Sequence, residues 1–168
     1  MTVRPIRIFG DPVLRTAADP VTAFDEGLRA LVADLEDTVR VPGRAGVAAP
    51  QIGVSLRVFS YNVAGQVGHL VNPVLSDFAG EQDDEEACLS LPRLGFPTRR
   101  AASVTARGFD QHGEPVVIHG TGFLARALQH ETDHLAGTLY IDTLTGDVRR
   151  QALRELRRVR PAPGVNRG

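Results

Sequence analysis

The chain has 168 residues, 42% of them hydrophobic and 23% charged, with a formal net charge of −1. That is enough sequence for one core and far too apolar for a disordered chain, so a single domain over residues 1–168 is expected. Its 19 basic residues, all arginine, are scattered, and aromatics make up 5% with no tryptophan. This composition excludes a dedicated nucleic-acid surface or an anionic-membrane patch, and a monomer is the expected state.

Taken in order, the N-terminus lacks the apolar run of a secretory signal and no stretch reaches membrane-spanning length, which makes the cytoplasm the expected compartment. Gly10-Asp11-Pro12 and Asp19-Pro20 mark residues 4–20 as an extended lead-in without chemistry of its own. From Asp25 to Arg40, Leu28, Leu31, Val32, Leu35 and Val39 recur at helical spacing and predict an amphipathic helix that packs on the core. Pro42-Gly43 ends it. The small residues from Gly43 to Pro50 then allow a close backbone approach, with Gln51 at their end.

Leu56–Val63, His69–Leu75, Val104–Phe109 and Val116–His119 are β-branched or aromatic runs between turn residues, and predict strands in a mostly antiparallel arrangement. Gln111-His112-Gly113-Glu114 is expected to turn the last two into a hairpin. A helix is predicted from Thr121, as its cap, to Gly137, and an arginine-rich one from Asp147 to Val159. Residues 160–168 read as a mobile tail. The expected class is therefore α+β, with antiparallel strands packed around a central helix and flanked by an N-terminal and a C-terminal helix.

That central helix carries His130-Glu131-Thr132-Asp133-His134, the H-E-x-x-H pattern. Two imidazoles one turn apart on one face can grip one metal ion, and the same turn sets Glu131 beside the open position, where it can move a proton. A catalytic site of this kind needs a third protein ligand. Glu155 stands at the distance used by many H-E-x-x-H peptidases, yet it lies among Leu153-Arg154 and Leu156-Arg157-Arg158 on what reads as a solvated helix face, and it is rejected. Cys88, the single cysteine, cannot form an internal disulfide; by itself it reads either as a core thiol or as the missing ligand.

Three segments, Gly46-Val47-Ala48-Ala49-Pro50-Gln51, Glu86-Ala87-Cys88-Leu89-Ser90 and Gln129-His130-Glu131-Thr132-Asp133-His134-Leu135, resemble in order and spacing the three signature motifs of the peptide deformylases. Gly10-Asp11-Pro12-Val13-Leu14-Arg15 and Asn72-Pro73 extend the resemblance over nearly the whole chain. It implies a metal-dependent hydrolase that removes the formyl group from N-formylmethionyl peptides or nascent chains and releases formate, with transient ribosome contact. It also implies that Cys88, His130 and His134 hold one divalent metal. Glu131 would be the general acid/base, and the Gln51 side chain with the Leu89 backbone N–H would form the oxyanion hole. A thiolate ligand suits Fe(II), Zn, Ni or Co over Mg or Ca; the resemblance implies Fe(II) in the cell, with Zn or Ni replacing it on purification.

The family usually has glycine where Arg44 and Ala87 stand. Both lie in segments that the resemblance assigns to substrate-backbone pairing, with Gly46 among them, and Arg44 is expected to point into water. Ala127 and Phe123, one and two turns before His130, are expected to line the methionine pocket together with Ala45. Glu86 is expected to make a partly buried bidentate pair with Arg100, and Asp133 to support the site or pack the helix. His69, His112 and His119 read as structural or exposed. Competing readings are a deformylase for a formylated small molecule, an H-E-x-x-H endopeptidase using Glu155, and a non-catalytic metal-stabilised binding protein.

Overall fold

The computed structural model describes residues 2–159; the tail expected at 160–168 lies outside them. Helix α1 (Glu26–Val39) begins where Asp25 Oδ1 accepts the Leu28 N–H at 3.0 Å, satisfying one of the free donors of the first turn. It buries Leu28, Val32, Leu35 and Val39 against Val47, Val58 and Val71. Strand β1 (Gly46–Ala48) follows, then a 3-10 turn at Ala49–Ile52.

Strands β2 (Val58–Val63) and β3 (Gln66–Ala79) are joined by Ala64-Gly65, both at positive φ, the two-residue turn whose twist matches a hairpin. The expected strand at Leu56 begins two residues later, because Leu56 instead makes a parallel bridge to Asp19. A short pair, β4 (Glu85–Cys88) and β5 (Leu91–Pro97), stands apart from the main sheet. Strands β6 (Ser103–Phe109) and β7 (Pro115–Thr121) form the expected hairpin. The main sheet runs β1-β2-β3-β6-β7, antiparallel throughout.

Helix α2 (Gly122–Leu135) lies across this sheet, with Ala125, Leu128 and Leu135 packed among Phe59, Leu70, Val104 and Ala106. Thr121 holds the N-cap position, but its side chain makes no capping hydrogen bond, contrary to the sequence expectation. Helix α3 (Gly146–Val159) buries Ala152 and Leu156 in a second cluster with Leu91, Leu94, Phe96 and Tyr140.

The N-terminal lead-in does more than extend. Arg7 N–H donates to Gln51 O at 2.7 Å, Phe9 N–H to Ser90 O at 2.8 Å and Ala18 N–H to Leu135 O at 2.9 Å. One strap thus ties together the three motif segments through backbone bonds, which no side-chain pattern announces.

Candidate metal centre

Cys88 ends β4, while His130 and His134 sit one turn apart on α2. All three are buried, and their ligand atoms lie within 4.8 Å of one another. Cys88 Sγ is 3.4 Å from His134 Nε2, which is 3.2 Å from His130 Nε2. Tyr140 stacks along the His130 ring, with centroids 6.1 Å apart.

The chemistry of this donor set fits a divalent cation. Glu86 Oε2 lies 2.7 Å from His130 Nδ1, which fixes the ring proton there and leaves Nε2 as a lone pair. The two Nε2 atoms stand 3.2 Å apart beside the Cys88 sulfur, and two imidazoles with a thiolate are a donor set that suits Fe(II), Zn, Ni or Co. Among the described residues no other group of three His, Cys, Asp or Glu side chains has this arrangement. Glu155 is elsewhere, half-buried on α3, where Gln151 Nε2 donates to its Oε1 at 3.0 Å.

Behind the rings is a buried ionic network larger than the expected pair. Arg100 grips Glu86 bidentately, Nε to Oε1 at 3.0 Å and Nη2 to Oε2 at 2.7 Å, while its Nη1 donates to Asp133 at 2.6 Å. Arg126 Nη1 adds a bond to Glu86 Oε1 at 2.8 Å and another to Thr98 O at 2.9 Å. Burial alone would raise the Glu86 carboxyl, but hydrogen bonds from His130 and Arg100 outweigh it and hold it at about 2.

Two side chains complete the site. Glu131 is buried with Oε2 lacking a hydrogen-bond partner, and burial pushes its carboxyl up to about 7. Gln51 Oε1 accepts the Ala48 N–H at 2.9 Å, which turns Nε2 toward Ser90 Oγ at 3.2 Å and Cys88 Sγ at 3.8 Å. Gly46 is where the close approach foreseen in the glycine-rich segment occurs: a methyl there would overlap Glu131 Oε1 and come within 2.7 Å of its Cγ and Cδ.

This geometry recurs in proteins of known kind. The profile of the polypeptide deformylase family matches residues 3–150. The chain belongs to that family. A peptide deformylase of Acidothermus cellulolyticus is 53% identical over 177 residues, covering 100% of this chain and 98% of the relative. One from a Parafrankia species is 54% identical over 171 residues, covering 98% and 93%. Among solved structures, the peptide deformylase of Legionella pneumophila superposes with a TM-score of 0.86 at 41% identity, covering 94% of this chain and 95% of its own. That of Thermus thermophilus gives 0.87 at 38%, covering 93% and 94%. Deformylases matched end to end leave the endopeptidase, small-molecule and binding-protein readings without support.

The family's site opens here into a cavity of about 430 Å³ lined by Ala45, Gly46, Gln51, Glu86, Ala87, Cys88, Leu89, Phe123, Ala127, His130 and Glu131, which gathers nearly every residue singled out from the sequence. His134, buried beside Cys88 and His130, and Arg100 and Asp133, which form an ion pair behind Glu86, do not line it. Arg44 departs from expectation. It also lines the cavity, but its Nη1 donates to Thr38 O at 3.0 Å, so the side chain caps the end of α1 instead of pointing into water. Sequence reasoning missed Arg126, Ser90 and Tyr140. Arg126 left a signal, a charge one turn before His130 on a helix face otherwise destined for the interior. His69, expected to be structural or exposed, is the former: its Nδ1 lies 2.9 Å from Glu36 and its Nε2 accepts the Gln111 N–H at 3.0 Å.

Proposed function

We propose that this chain removes the formyl group from N-formylmethionyl peptides of nascent proteins, releasing formate. The observation that carries the reading is the convergence of Cys88, His130 and His134 on one point, with Glu131 and the Gln51 amide beside it. When bound there, a divalent ion supplies Lewis acidity, polarising a carbonyl and lowering the pKa of water. We assign Cys88, His130 and His134 as its ligands and Fe(II) as the resident metal, with Zn, Ni or Co as substitutes.

Glu131 is the proton carrier in this reading. Its raised pKa lets it take a proton from the attacking water and deliver it to the departing amine near neutral pH, a role that contributes about 10²–10⁴-fold. As the formyl carbon becomes tetrahedral its oxygen gains charge, and Gln51 Nε2 with the Leu89 N–H are the donors assigned to it. Because Gln51 is held by Ala48 at its other end, its amide needs no reorientation at the moment of reaction.

The substrate backbone runs between β1, at an edge of the main sheet, and β4 of the two-stranded β4–β5 pair, both of which line the cavity. An extended peptide adds there as a strand. Ala87, exposed on β4, and Gly46 border that path, while Phe123, Ala127 and Ala45 surround the methionine side chain. Among the described residues no helix is long and apolar enough to cross a membrane. We place the enzyme in the cytoplasm as a monomer that meets nascent chains in transient contact with the ribosome.

The test is formate release from formyl-Met-Ala-Ser by anaerobically prepared protein loaded with Fe(II) or with Zn. Turnover of the peptide is the expected result; activity on non-peptidic formamides without activity on the peptide would overturn it.

A further inference from the structure

We infer that Arg126 is a positioning residue that sets the spacing between the thiolate-bearing strand and the histidine-bearing helix, acting through Glu86. The inference rests on reading Cys88, His130 and His134 as a metal site. Those ligands come from two elements, β4 and α2, that share no backbone ladder. What joins them at this point is the Glu86 carboxylate, two residues before Cys88, and it meets α2 twice. Oε2 meets His130 Nδ1 at 2.7 Å, and Oε1 accepts from Arg126 Nη1 at 2.8 Å. Arg126 and His130 are four residues apart, hence on successive turns of one helix face. A carboxylate held at both points fixes β4 against α2 in position and in rotation, and with it the approach of Cys88 to the rings.

Arg126 is badly placed for a purely stabilising ion pair. Arg100 spends all three guanidinium nitrogens, on Glu86 and Asp133, whereas Arg126 uses Nη1 alone and leaves Nε and Nη2 buried without partners. Side chains that are 3% exposed and bear unpaired donors cost stability, and an apolar group of similar volume is often tolerated in such places. What an apolar group cannot do is hold Glu86 Oε1.

The experiment is R126M, with R126K as its conservative counterpart, read out by thermal unfolding, by zinc affinity in competition with a chromophoric chelator, and by the visible absorption of the Co(II)-loaded protein. Expected for R126M is a melting temperature within a few degrees of the parent, zinc affinity lower by roughly 10–100-fold, and shifted Co(II) bands. R126K, which keeps one N–H donor for Glu86, restores most of both. In an E86Q background, R126M adds no further loss, because the arginine acts through that carboxylate.

Zinc affinity and Co(II) bands unchanged in R126M, or a loss equal in full with Glu86 already replaced, would overturn the inference. So would an R126M chain that fails to fold, which would make the arginine a structural strut. A parent protein that binds neither zinc nor Co(II) would instead overturn the metal-site reading itself.

Discussion

Helix α2 is buried on two sides that are built on opposite principles. Toward the main sheet it presents the side chains of Ala125, Leu128 and Leu135, which pack among apolar neighbours such as Phe59, Leu70 and Val104. Toward β4 it presents Arg126, His130, Glu131 and His134: Arg126 Nη1 and His130 Nδ1 both meet Glu86, while Arg126 Nε and Nη2, Glu131 Oε2 and His134 Nδ1 are buried without a partner. The first side is non-directional: it asks for volume and tolerates exchange of one aliphatic residue for another of similar size. The second is directional, because a buried charge or donor is costly unless its partner stands at hydrogen-bonding distance. Stability should therefore follow the sheet side and chemistry the β4 side.

Replacing Cys88 by serine tests the directional side most severely. Without the thiolate, metal content measured on the purified protein is expected to fall to a small fraction of one equivalent, and formate release to background. Metal retained in C88S would break the assignment of that ligand. Glu131→Gln keeps the shape and removes the proton carrier; metal should remain while turnover drops by about 10²–10⁴-fold in a formate assay. Gln51→Leu deletes one donor to the oxyanion and should lower kcat by about 10²–10³-fold with little change in KM.

The apolar side gives the opposite signature. Leu128→Ala leaves a cavity beside Val104 and Ala106 and should cost about 2–5 kcal/mol in denaturant unfolding, with kcat per folded molecule kept. A loss of turnover in the folded fraction would show that the two sides are coupled. The smallest effect belongs to Arg44→Gly, which removes the guanidinium from the end of α1 for about 0.3–1 kcal/mol and should alter KM more than kcat on formyl peptides.

How much of this could be read beforehand differs between the same two regions. The helix spanning His130, the hairpin through Gln111-His112-Gly113-Glu114 and the amphipathic α1 follow from local periodicity and turn chemistry, and all three are present. The pair β4–β5 was not legible as strands, since four residues ending in a cysteine carry too little alternation to stand out. Glu86–Arg100 was foreseen from the motif. Asp133 was expected to support the site or pack the helix, and it meets Arg100; Arg126 was not foreseen, because nothing local says which distant carboxylate a buried arginine will meet. The lead-in strap escaped for a related reason: backbone N–H groups leave no trace in residue identity.

The sequence by itself determined the two imidazoles on one helix face and the glutamate beside them, because the spacing of a helical turn is a local property. Only the tertiary structure decided that Cys88 reaches those rings, that Gln51 turns its amide toward Cys88, and that one carboxylate is clamped from two elements. These depend on long-range packing, in which residues more than forty positions apart are brought within hydrogen-bonding distance.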